Sequence, residues 1–170
     1  AARRYGNPGQ RSGSSKRDKR VIEMIKQVLS TSLISLAIGF IAELLNIWLG
    51  TKFLYSFFAS NLVTILVALL AVNAATMGIV LTKMRDLIDK NGNAKVFKKT
   101  RANMLLSIKE QIALIVLATV ILSVKSAPAI QNIENMPFLL NSIVTGIFVY
   151  ALLVLYDTAK GVLVIVDFNG

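Results

Sequence analysis

Apolar and polar positions in this chain fall into long blocks rather than short alternations. Four apolar runs stand out: Ile34–Leu49, Phe53–Leu81, Ile112–Val124 and Phe138–Tyr156. A helix that crosses a bilayer needs about 20 mainly apolar residues, and each run reaches that length once its flanks are counted. The pattern predicts an all-α integral membrane protein, a four-helix transmembrane bundle in residues 18–170, with helices over about 18–49, 53–90, 94–125 and 138–160. The preceding segment, 1–17, is rich in Gly, Ser and Arg and is read as a basic flexible tail.

Local signals place the boundaries. Val21, Ile22, Met24, Ile25, Val28 and Leu29 recur at helical spacing, so the first helix is expected to start amphipathic and then enter the bilayer. Its apolar run continues through Glu43 and Asn46 to Trp48 and is followed by Gly50, which suits a retained helix rather than a cleaved signal peptide. Tyr55, Phe57 and Phe58 form an expected interfacial aromatic belt. Asn91, Gly92 and Asn93 predict a tight turn between the second and third helices. No Pro or Gly interrupts the stretch from Ala94 onwards, and at 1.5 Å per residue it would be roughly 45 Å long. The second and third helices are therefore expected to project beyond the membrane as a hairpin. Pro128 and Pro137 bound the last connection, and Gly161 is a candidate break in the fourth helix.

Charge then orients the bundle. The chain carries a formal net charge of +10, and the excess is uneven. Arg3, Arg4, Arg11, Lys16, Arg17, Lys19 and Arg20 crowd the tail, and Lys83, Arg85, Lys90, Lys95, Lys98, Lys99 and Arg101 crowd the connection between the second and third runs. The other two connections hold Lys52 and Lys125. This is the positive-inside pattern, and it predicts that both termini lie on the cytosolic side. The implied location is a bacterial inner membrane or an organellar membrane. The basic residues, among them Lys95, Lys98, Lys99 and Arg101, are candidates for binding an anionic partner. Anionic lipid headgroups would contribute about 1 kcal/mol per basic residue; nucleic acid and acidic proteins are the other candidates.

Polar residues inside the spans are the second set of candidates. Ser32, Ser35, Gly39, Glu43, Asn46 and Gly50 share one face of the first helix. Such a face suits close helix packing with hydrogen bonds across the contact, or a water-facing pore stripe. Glu43 is ionisable, which makes it a functional candidate; its local partners would be Asn46 or Asn61. The second helix has a similar face in Asn61, Thr64, Ala68, Ala71, Ala75, Gly78 and Thr82, with Asn73 lying off it and expected to find an interhelical partner. On the fourth helix, Asp157 and Lys160 are spaced to pair.

Composition narrows the chemistry. The chain has 170 residues, no Cys and no His. That removes disulfides, thiolate and imidazole metal sites and the commonest general base. The carboxylates form no paired motif within one span, and there is no nucleotide-binding or nucleophile-elbow motif. The expectation is a non-enzymatic protein without metal or cofactor. In layout alone it is similar to small tetra-spanning prokaryotic membrane effectors and channels, and to small accessory subunits of membrane complexes. The first functional reading is a homo-oligomeric pore or channel-like effector regulated through its basic elements. The alternative is an accessory or assembly subunit of a larger complex, and the third is an ion-coupled transporter using Glu43.

Overall fold

A computed structural model describes the backbone of residues 9–91 and 94–167, and side chains from Ile22 to Leu163 apart from 24, 87 and 90–99. The elements in order are α1 (Gly9–Trp48), α2 (Phe53–Asn91), α3 (Ala94–Ser126), the short α4 (Pro128–Gln131) and α5 (Met136–Asp167). Four of them are long and apolar enough to cross a membrane, over Ile25–Trp48, Phe53–Asp86, Thr100–Ser126 and Met136–Leu163. The protein is an all-helical, four-span bundle.

Helix α1 begins at Gly9 rather than near residue 18. Its basic and Ser-rich first turns contain no proline to stop a helix that the apolar run downstream has nucleated. Gly50 ends it with φ +63°. The Thr51 N–H bonds Asn46 O at 3.0 Å and the Gly50 N–H bonds Ile47 O at 3.1 Å, the paired closure of a Schellman cap. The Thr51 hydroxyl then accepts the Phe53 N–H at 3.2 Å, which satisfies one of the free donors at the start of α2. Pro137 lies in the first turn of α5, where no donor is needed, so that helix starts slightly before the residue 138 expected. Gly161 does not break it, and α5 runs on to Asp167.

Helices α2, α3 and α5 pack on one another, and α1 packs chiefly on α5. The main core lies between α2, α3 and α5 and contains Phe58, Leu62, Leu66, Leu114, Ala118, Val144 and Ile147. A second cluster, Met77, Val80, Met84 and Met104, joins α2 to α3. The faces left open are mostly large and apolar, including Leu33, Ile41, Leu45, Val116, Val120 and Leu152. In water such a surface would be untenable; against lipid tails it costs nothing.

Candidate functional site

The α1 face of small and polar residues is the surface that meets α5. Ser35, Gly39, Glu43 and Asn46 are buried, while Ser32 is exposed at its edge. Gly39 sits so close to α5 that an added Cβ would lie 2.3 Å from Ser142 O and 2.7 Å from Gly146 N. Gly146 returns the contact, with Ser35 O at 3.3 Å from its own imagined Cβ. The Ser35–Gly39 and Ser142–Gly146 pairs are thus two small-xxx-small faces set against each other. The serines do not bond across the contact. Ser35 Oγ donates to Thr31 O at 2.7 Å and Ser142 Oγ to Phe138 O at 3.0 Å. Removing the hydroxyls into their own helices lets the backbones touch. Phe40 and Phe138 close the seam edge to face, 5.1 Å apart.

Glu43 supplies the polar contact across this seam. Its Oε1 accepts Asn141 Nδ2 at 2.7 Å, and its Oε2 accepts Asn46 Nδ2 at 3.3 Å. Both oxygens are occupied by amide donors in a site that is 6% exposed. Asn61 does not take part; it faces outward and bonds Phe57 O at 2.9 Å. At the same end of the bundle, Lys125 on α3 is buried with its ammonium 4.0 Å above the Tyr55 ring. Its Nζ has no hydrogen-bond partner, nor has Asn141 Oδ1. The face of the Tyr55 ring is what the ammonium meets.

Deeper in the bundle, Asn73 finds its partner on α3. Asn73 Nδ2 donates to Gln111 Oε1 at 2.9 Å, with both residues fully enclosed. Asn73 Oδ1 and Gln111 Nε2 are left without partners. Gln111 is a buried position that the sequence pattern did not single out, because it sits at the border of an apolar run beside Lys109 and Glu110.

The α2 face of small residues points the other way. Asn61, Thr64, Ala68, Ala71, Ala75, Gly78 and Thr82 are all exposed. At 3.6 residues per turn they lie roughly opposite Phe58, Leu62, Leu66, Asn73 and Met77, which face the core. Nothing in the bundle comes within 4 Å of a Cβ built on Gly78.

At the basic end, Lys160 does not pair with Asp157. Its ammonium lies 4.3 Å over the Tyr156 ring. Arg101 is exposed. Arg3 and Arg4 lie outside the described residues, and the side chains of Arg11, Lys16, Arg17, Lys19, Arg20, Lys95, Lys98 and Lys99 lie outside those described. No group of acidic residues able to hold a metal ion occurs among the described residues. Comparison with protein-family models, with curated proteins and with solved structures finds no match.

Proposed function

We propose that this chain is a homo-oligomeric, pore-forming membrane protein whose copies surround an axis lined by α2, with its basic end on the cytosolic side. The observation that supports this reading is the outward α2 face of Gly, Ala, Thr and Asn set opposite the helix's own core. Small side chains gain little against lipid tails, but they let another helix backbone approach closely. The interior of one bundle is filled by Phe58, Leu62, Leu66, Leu114 and Val144, so a water path belongs between copies rather than within one. Val67, Val72 and Ile79 flank the small face and are exposed; they supply the apolar contact between neighbouring copies. Glu43, held by two amides in the α1–α5 seam, serves assembly of the bundle rather than conduction. On this reading the positive-inside rule turns the basic tail and connection toward the cytosol, where a signal would reach them.

The chain lacks Cys, which makes the test direct. Cysteines at Ala68 and Ala75 should cross-link copies in mild detergent and react with a water-soluble thiol reagent in vesicles. Gly78→Leu, which meets nothing in its own bundle, should leave the helices folded while abolishing both the oligomer and ion flux. Recovery of the unaltered chain only as a monomer, or only in a fixed-ratio complex with other polypeptides, would overturn the proposal. The second outcome would favour the accessory-subunit reading.

A further inference from the structure

Helices α1 and α3 both pack on α5 without packing closely on each other. The gap between them is a cleft floored by α5 and divided into two chambers of ≈ 420 Å³ and ≈ 380 Å³. The two adjoin, and Val28, Glu110 and Tyr150 line both. No α2 residue takes part, so the cleft is separate from the face assigned to assembly.

The two chambers differ in chemistry. The one toward the basic end is the more polar, with Gln27, Thr31, Ser107, Asp157 and Thr158 beside Val28, Met104 and Val154 on its walls. Ser107 and Thr158 hydroxyls meet at 3.0 Å across α3 and α5. The one toward the bilayer centre is apolar and is walled by Leu36, Ala113, Leu114, Leu117, Ile143 and Ile147. Glu110 and Tyr150 stand between the two, and Ser32 lines the apolar one with them. Glu110 and Asp157 line the same chamber. Among the described residues no Lys or Arg lines either chamber, although this is the end of the molecule where the basic residues collect.

A chamber with carboxylates and hydroxyls on its walls, set beside an apolar one, suits an amphiphile with a cationic head. We infer that the α1–α3 cleft binds a membrane phospholipid with a primary ammonium headgroup, the ammonium between Glu110 and Asp157 and an acyl chain along Leu36, Ala113 and Ile147. Charge complementarity selects this occupant. The basic residues outside the cleft draw anionic lipids to the surface, whereas the two carboxylates on its described walls repel a phosphate that carries no ammonium. A primary ammonium offers three donors to the two carboxylates and the adjacent hydroxyls.

The test reconstitutes the full chain into vesicles of equal parts phosphatidylethanolamine and phosphatidylglycerol. After gentle re-extraction, the lipid retained per protein is counted by mass spectrometry. The ammonium lipid should be enriched about tenfold over the anionic one, the size of one charge-assisted hydrogen bond. A double variant, Glu110→Gln with Asp157→Asn, should remove that preference. Ala113→Trp fills the apolar chamber and leaves both carboxylates in place, and it should release the retained lipid. Equal or greater retention of phosphatidylglycerol by the unaltered chain would overturn the inference. So would a preference that survives the double variant, or lipid retention that survives Ala113→Trp.

Discussion

Gly39 is the residue on which the α1 seam turns. A methyl group there would lie 2.3 Å from a backbone oxygen of α5 and 3.0 Å from Gly146 Cα, and backbone cannot rotate out of the way. Gly39→Ala is therefore expected to push the helices apart and cost about 1–3 kcal/mol, the usual range for overpacking. Gly146→Ala meets its nearest atoms at 3.3 Å and 3.4 Å, so it should cost less. Gly161→Ala, with nothing within 4 Å, is the control and should not lower the midpoint. Thermal unfolding of the three variants in detergent checks the order, and a neutral Gly39→Ala would show that α1 does not sit this close to α5. Glu43 lies on the same face one turn further on, and its two amide contacts extend the seam toward the far interface.

At the scale of elements, α2 and α3 are joined in the bundle interior by a hydrogen bond between two side-chain amides. Asn73 and Gln111 satisfy one donor and one acceptor between them and leave Asn73 Oδ1 and Gln111 Nε2 unpaired. Side-chain hydrogen bonds within membranes average about 0.6 kcal/mol, and orphaned buried groups work against that gain. Either single substitution, Asn73→Leu or Gln111→Leu, strands the partner amide and is expected to destabilise the fold. The double variant should recover most of the loss, because no polar atom of the pair is then left without a partner. A double-mutant cycle of unfolding free energies measures this directly, and strictly additive losses would mean that the two amides do not act as a pair.

For the whole molecule, the expectation concerns sidedness. Gln27 on α1, Thr100 on α3 and Gly161 on α5 line one cavity, so these parts of the three helices share one end of the bundle. Glu43, Asn141, Lys125 and Tyr55 meet at the other end. Single cysteines at Ser14 and Asn93 should label from the cytosolic side with an impermeant thiol reagent, and one at Asn132 from the opposite side. Labelling of all three from the same side would contradict a four-span arrangement.

Much of this architecture is local and therefore readable from the chain alone. The number of spans follows from the length of the apolar runs, and the end of α1 follows from Gly50, which takes the left-handed conformation a cap requires. The uneven distribution of Lys and Arg is likewise a property of the sequence. The start of α1 and the end of α5 were less legible, because polar first turns and an internal Gly do not stop a helix already propagating. What the sequence could not decide is which faces meet. The small-residue faces of α1 and α2 look alike as patterns, yet one is buried against Gly146 and the other points away from the bundle. Choosing between them requires the shape of the partner surface, and in a membrane no gradient of hydrophobicity marks the inward face. The same holds for Glu110 and Asp157. On separate helices they read as a flaw at the edge of one span and half of an ion pair in another. Only the packing of α1 and α3 on α5 sets them on the walls of one cleft, because that contact depends on residues far apart in the chain.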